Sequence, residues 1–255
     1  MRAGEPTNLG EVFSDDEVAR LYRYRPPYPD AVFATLRRLL VVPRTVLDAG
    51  AGTGALARGM VSFAERVDAV DPSLAMLEAG RRLPGGDDQR IRWVHGRAED
   101  AALSPPYGLI TCGASLHWMD LDVVLPRFRD ALAARASVAV VDTENVHGAY
   151  HAEVIAVIRK YSEVEHHAET NDLLRDLQAS GRFALEGEER AAPAPFEQSV
   201  NDYIEFLHST STLARVRLGS RSDAFDAEIR AVFARYGIEW LRYGVVGFIA
   251  WGRPL

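Results

Sequence analysis

Between Thr45 and Phe63 the chain changes its hydrophobic period. A β-branched apolar run ends at Asp48, glycines follow at 50, 52 and 54, and apolar residues then recur at helical spacing (Leu56, Met60, Phe63). The order is therefore strand, glycine turn, helix. The same alternation continues downstream. Strands are predicted at Arg66 to Val70, Ile91 to His95, Leu109 to Cys112 and Ser137 to Val141, with helices at Ser73 to Arg82 and Leu121 to Ala134. Upstream, Ser14-Asp15-Asp16-Glu17 opens a helix that runs through Tyr22, and the prolines at 26, 27 and 29 break it before a second helix, Asp30 to Leu40. Residues 1 to 12 carry no periodic pattern and are expected to be mobile.

Strands alternating with helices imply right-handed crossovers, a mostly parallel sheet covered on both faces, and ligands at the carboxyl ends of the strands. From Asp142 the pattern turns helical, over 147 to 180, 198 to 215 and 222 to 236. Strands are expected at Phe183 to Glu186 and Tyr243 to Trp251, and a hinge or loop at Ala191 to Pro195. The expected fold is thus α/β and Rossmann-like, with seven strands, helices on both faces and a helical lid inserted late in the chain. Three regions follow: an N-terminal helical cap over 1–42, a ligand-binding core over 43–142, and a lid with the closing strands over 143–255.

Composition narrows the function classes. The 255 residues carry a formal net charge of -7 and a pI near 5.5, so no basic field is available to hold a nucleic acid. The single cysteine, Cys112, excludes an intrachain disulfide. No apolar stretch is long enough to cross a bilayer, and the segment after Met1 lacks the apolar run of a signal peptide. A soluble cytoplasmic protein, a monomer or homodimer, with no membrane partner is expected. His166-His167 lies among Glu163, Glu165 and Glu169 without a partner set at metal spacing, and reads as a solvated helix face, so no metal is expected.

The glycine turn is compatible with two ligands. Gly50, Gly52 and Ala55 fit the dinucleotide pattern, and Asp71 lies about 20 residues on, where a ribose-binding acid belongs. Asp48, Gly54 and the run Val70-Asp71-Pro72-Ser73-Leu74-Ala75-Met76-Leu77 discriminate between the two. Leu47-Asp-Ala-Gly-Ala-Gly-Thr-Gly54 and Val-Asp-Pro-Ser-x-x-Met-Leu together resemble the class I S-adenosylmethionine (SAM) dependent methyltransferases. The similarity is to the small-molecule branch, which includes aconitate-type carboxyl methyltransferases, over roughly residues 20 to 142.

That resemblance implies an antiparallel last strand, SAM as cofactor, S-adenosylhomocysteine as product and a small-molecule acceptor. It implies that Ala49, Gly50, Gly52, Asp71 and Pro72 line the cofactor, with Asp71 on the ribose hydroxyls. Asp48 holds the loop amides or reaches the cofactor ammonium through water. The segment from Tyr22 to Pro29 is similar to an "Arg-Pro-x-Tyr-Pro" element that folds over the cofactor, so Tyr22 and Arg25 are candidates for the methionine moiety. Gly96-Arg97-Ala98-Glu99-Asp100 resembles the adenine loop, with Arg97 in place of the usual acid; Ala98 and Glu99 remain candidates there. Gly113 follows the fourth strand at the ligand edge, and His117-Trp118 resembles an active-site segment, His117 as base or orienting donor and Trp118 toward the acceptor.

Further candidates are His147 and His151 after the fifth strand, and Tyr203 and His208 in the lid. Tyr203, Phe206 and Leu213 are equally consistent with the buried face of an amphipathic helix. Ser104-Pro-Pro-Tyr107 imitates a motif of base and glutamine methyltransferases but precedes the fourth strand instead of following it, and reads as a turn. The expected activity is methyl transfer to a hydroxyl or carboxylate oxygen, in secondary metabolism or elsewhere. An NAD(P)-dependent oxidoreductase and a non-catalytic SAM-binding protein are the alternatives.

Overall fold

The computed structural model describes residues 9–162 and 170–255. A 3-10 turn (Leu9–Ser14) leads into α1 (Asp16–Leu21), a second such turn (Tyr22–Tyr24) and α2 (Asp30–Leu39). Then come β1 (Thr45–Ala49), α3 (Ala55–Met60), β2 (Arg66–Asp71), α4 (Leu74–Arg82), β3 (Ile91–His95), β4 (Leu109–Gly113), a 3-10 turn (Leu116–Trp118), α5 (Leu121–Ala131) and β5 (Val138–Val146). The remainder is α6 (His151–Tyr161), α7 (Thr170–Ala179), β6 (Phe183–Arg190), β7 (Ala194–Ser199), α8 (Val200–His208), α9 (Arg215–Leu218), α10 (Ser222–Arg235) and β8 (Trp240–Pro254). The double histidine at 166 and 167 lies outside the described residues.

The chain divides into two compact units. The sheet unit takes the described residues of Pro26–Val146, His167–Pro195 and Gly244–Leu255. Its strands run in the order β3-β2-β1-β4-β5-β8-β6, with β7 paired to β8, in an eight-stranded sheet rather than the expected seven. β1 to β5 pair in parallel, while β8 is antiparallel to both β5 and β6. Side chains alternate between the two faces, as the pleat requires. Val46, Val67, Ala139 and Val141 join Leu36, Leu56 and Met60 in one core cluster. Leu47, Val70, Val138 and Val140 join Val124, Phe128 and Leu177 in the other. Thus α2 and α3 cover one face and α5 and α7 the other, the two-sided coverage expected of a parallel sheet.

Local chemistry fixes the helices that begin at the ligand edge. Ser73 caps α4 by accepting from the Met76 amide at 3.1 Å, and Asp120 caps α5 through the Asp122 amide at 3.0 Å. The helical unit takes the described residues of Met1–Arg25, His147–His166 and Phe196–Tyr243, and gathers α1, α6, α8, α9 and α10. The unit boundaries therefore fall at 25 and 146 rather than at 42 and 142, because α2 buries Val32 and Leu36 against the sheet. Among the described residues, no helix is long and apolar enough to cross a membrane, and no group of three or more potential ligands could hold a metal ion.

Candidate active site

The glycine turn is held by its own backbone. Gly50, Gly52 and Gly54 have φ of +69°, +55° and +71°, a left-handed conformation in which a Cβ is strained. The Gly50 and Ala51 amides both donate to Val70 O, at 2.9 and 3.0 Å, and Gly54 donates to Ala51 O at 2.8 Å. The Gly52 amide donates to Asp71 Oδ2 at 2.7 Å. Trp93 closes the turn from β3: a Cβ at Gly54 would lie 2.4 Å from its ring.

Two buried carboxylates end β1 and β2. Asp48 accepts from Thr111 Oγ1 at 2.8 Å, across the β1–β4 register, and from the Ala57 amide at 3.2 Å. Its role here is to tie strand β4 to the first turn of α3, not to hold the glycine amides. Burial pushes its carboxyl up to about 7, although the Thr111 and Ala57 hydrogen bonds oppose the rise. Asp71 binds Gly52 through Oδ2 and the Ser73 amide through Oδ1, at 2.8 Å. Burial raises its carboxyl too, opposed by those same amides. Each oxygen of Asp71 has accepted one backbone hydrogen bond and retains a second acceptor position.

The remaining sheet-unit candidates gather at the same strand ends. Arg97 faces away from an acceptor role: its guanidinium is spent on Glu99, at 3.0 and 3.3 Å. Glu99 also accepts from the Asp120 amide at 2.9 Å, so the loop is locked to the start of α5. Burial pushes the Glu99 carboxyl up, but the Arg97 and Asp120 bonds outweigh it and the net shift is downward. Ala98 is buried beneath this bridge. A Cβ at Gly113 would lie 2.8 Å from both Leu56 and the Tyr28 hydroxyl. Ser115 donates to Ala49 O at 2.7 Å, and a Cβ at Gly50 would meet its side chain at 2.5 Å. His117 and Trp118 stand on the 3-10 turn just beyond, rings 4.7 Å apart, with Trp118 38% exposed.

The other candidates fall in the helical unit. Arg25 lies over the Tyr22 ring at 4.0 Å and donates to Ser209 Oγ at 2.9 Å and Ser209 O at 2.8 Å. His208 is fully buried, with Nδ1 2.7 Å from Leu213 O and Nε2 2.7 Å from Asp226 Oδ1. Both ring nitrogens are thus occupied, and His208 ties α8 to α10 with neither nitrogen left for a substrate. His147 stacks on His151 at 5.1 Å and meets Tyr203 at 5.8 Å and Tyr243 at 4.6 Å. Burial, then the neighbouring His151, lowers the His147 imidazole to about 4.

Residues 46–135, which hold the glycine turn and both carboxylates, match the family model described as a methyltransferase domain. The chain is similar to methyltransferases over this stretch. Its fold recurs in solved structures. A protein of Anaeromyxobacter dehalogenans assigned as a type II methyltransferase aligns over 90% of this chain and 97% of its own, at 25% identity and a TM-score of 0.61. A Bacillus halodurans protein assigned as a methyltransferase aligns over 88% and 100%, at 18% and 0.53. A Geobacter sulfurreducens SAM-dependent methyltransferase, solved with S-adenosylhomocysteine, aligns over 93% and 97%, at 16% and 0.51. A search of the curated proteins gave no significant match.

Within residues 46–135, the geometry suits an adenosyl ligand without phosphates. A pyrophosphate is held by free amides at a glycine turn, whereas here the amides of Gly50, Ala51, Gly52 and Gly54 are all committed inside the protein. Paired hydroxyls need acceptors, and Asp71 provides them. Thr111, Ser115 and Trp93 support this site and are not evident in the sequence, whereas Tyr28, which also supports it, is the tyrosine of the proline-rich segment at 25–29.

Proposed function

We propose that the chain is a SAM-dependent methyltransferase acting on an oxygen of a small organic acceptor. The observation that carries this reading is Asp71, a buried carboxylate with acceptor positions remaining, beside a glycine turn whose Gly50, Ala51, Gly52 and Gly54 amides are bound within the protein. The methyltransferase family match over 46–135 and the bound S-adenosylhomocysteine of the Geobacter sulfurreducens protein support it.

Asp71 would hold the ribose, Ala98 and Glu99 the adenine edge, and Gly50, Gly52 and Pro72 the body of the cofactor. Gly113 leaves room at the end of β4 where a side chain would meet Leu56 and Tyr28. Asp48 ties β4 to α3, and Ala49 O accepts from Ser115 at the end of β1. His117 and Trp118 are assigned to the acceptor. When bound, SAM supplies a methyl group already activated by a sulfonium leaving group. The protein's task is then orientation and exclusion of water, plus proton removal where the acceptor is a hydroxyl. We assign the chain to the cytoplasm, without a metal requirement and without a nucleic-acid partner.

Calorimetric titration with S-adenosylhomocysteine and, separately, with NADH tests this. Binding of the first alone is expected. Binding of NADH alone would mean a dinucleotide enzyme and would end the methyltransferase reading.

A further inference from the structure

The helical unit contains a group of rings drawn from four separate stretches of chain. His147 contacts Tyr150, His151, Tyr203 and Tyr243, and Phe233 closes the far side against Tyr150 and Tyr203, at 5.1 and 5.6 Å. Tyr150, Tyr203, Tyr243 and Phe233 are buried. Half-buried His147 and exposed His151 mark the edge that opens to solvent.

A hydrophobic core built of rings would leave no polar atom stranded, yet this one does. Gln198 is 4% exposed, and its Nε2 donates to the Tyr243 hydroxyl at 2.5 Å while Oε1 has no partner. Turning the amide over moves the problem to the other atom, since only one of the two can reach Tyr243. The buried Nδ1 of His147 also lacks a partner. The Tyr150 hydroxyl is a third such atom; a buried polar atom left unsatisfied costs about 1–3 kcal/mol, so three in one cluster point to a group that arrives from outside. All three lie among aromatic faces; Gln198 Oε1 and His147 Nδ1 can accept a hydrogen bond, and the Tyr150 hydroxyl can donate one.

We infer that this cluster is a recognition site for an uncharged aromatic ring bearing a hydroxyl, the ring packing among the tyrosines and the hydroxyl meeting His147 Nδ1 or Gln198 Oε1. The charge follows from the surroundings. Hydrogen bonds and ring contacts in the cluster run between neutral groups. Burial, then the neighbouring tyrosines, pushes the Tyr203 and Tyr243 hydroxyls well above their ordinary value, and the same burial keeps His147 neutral at physiological pH. A carboxylate taken from water to lie among neutral rings is strongly disfavoured. A phenol carries no charge, and its hydroxyl can donate to one of the two orphan acceptors while accepting from the Tyr150 O–H. The inference rests on the proposed oxygen-directed methyl transfer and chooses, within it, the phenolic acceptor class over the carboxylate class.

The test is calorimetry on the whole chain, unmodified, at pH 7.5, with S-adenosylhomocysteine present. Phenol, benzoate and cyclohexanol are titrated as matched probes. Phenol is expected to bind at least tenfold tighter than either of the others. Replacing His147 by Leu should then weaken phenol at least fivefold while leaving S-adenosylhomocysteine affinity within twofold. Benzoate binding as tightly as phenol would overturn the charge argument, and cyclohexanol doing so would overturn the ring argument. No binding of phenol at millimolar concentration, with S-adenosylhomocysteine bound normally, would overturn the site while sparing the methyltransferase reading. Loss of S-adenosylhomocysteine binding by the unmodified chain would instead strike that reading.

Discussion

Replacing Asp71 with Asn separates the two tasks assigned to that carboxylate. In the free protein its oxygens accept from the Gly52 amide at 2.7 Å and the Ser73 amide at 2.8 Å. An Asn of the same shape presents one NH2 to one of those amides, so one backbone donor loses its acceptor. The cost to stability is about 1–3 kcal/mol, a fall in Tm of a few degrees for a chain of this size. Cofactor binding suffers separately. A hydrogen bond to a charged group contributes about 1.5–3 kcal/mol, so S-adenosylhomocysteine affinity should fall about 10- to 150-fold, at tenfold per 1.4 kcal/mol. Titrating wild type and variant with S-adenosylhomocysteine and its 2′-deoxy analogue distinguishes a ribose contact from general damage. Wild type should lose affinity on removal of the hydroxyl, and Asp71→Asn should lose little more. If both proteins lose the same factor between the two ligands, Asp71 does not touch the ribose and serves only to staple the loop.

Three further outcomes follow from the same geometry. Thr111→Val keeps the shape but strips Asp48 of its Oδ1 donor; urea unfolding should show a loss of about 1–3 kcal/mol, and Thr111→Ser should recover most of it. Gly54→Ala combines a φ of +71° with a Cβ 2.4 Å from Trp93. It should cost about 1–3 kcal/mol, with Trp93→Leu in the same chain relieving the clash but not the backbone strain. For pH, the Asp48 carboxyl is raised from its ordinary 3.8 to about 7 by burial. Between those values the folded chain keeps a proton that the unfolded chain has released, so stability falls as pH rises from about 4 to about 7 and levels off above. Denaturation midpoints measured at pH 5 and 8 should show that fall in wild type and a smaller one in Asp48→Asn; a larger fall in the variant would refute the assignment.

The parts of the fold legible in the sequence were those fixed by neighbours along the chain. The glycine turn, the Ser73 cap and the strand–helix alternation are local, and β1 to β4 and α4 begin and end within a residue of expectation. Elements set by distant partners were not legible. β5 continues through the polar residues Asp142 to Asn145 to Val146 because β8 pairs with it along its whole length, from Val138 with Gly252 to Val146 with Gly244. Strand β7 starts among the prolines at 193 and 195 that suggested a loop, and it too owes its existence to β8. The helix expected over 198 to 215 stops at His208, since Ser209 Oγ and Thr210 Oγ1 turn back onto Phe206 O and Leu207 O, at 2.6 and 2.7 Å, and a serine-threonine run of this kind competes with helix. The ring cluster in the helical unit combines residues from 147 to 243, a distance along the chain that no local period reveals.

The same contrast explains why glycine spacing could not choose the ligand. Gly50, Gly52 and Ala55 satisfy a pattern written for a pyrophosphate, and the pattern records only where a Cβ must be missing. Whether an anion can bind depends on which amides remain free, and that is decided by residues far from the turn. Here Val70 O takes two amides and Asp71 a third. Val70 and Asp71 belong to β2, whose register against β1 places Val70 beside Ala49. A carboxylate at that point also sets the sign of the local field, which repels a phosphate and suits the hydroxyls of an uncharged ribose. The acid at the end of β2, identified in sequence as a ribose ligand for either cofactor, therefore does more than hold a sugar. By occupying the Gly52 amide it takes away one donor that a phosphate at the turn could otherwise use, so on the proposed reading one side chain would both hold the ribose and disfavour the competing ligand.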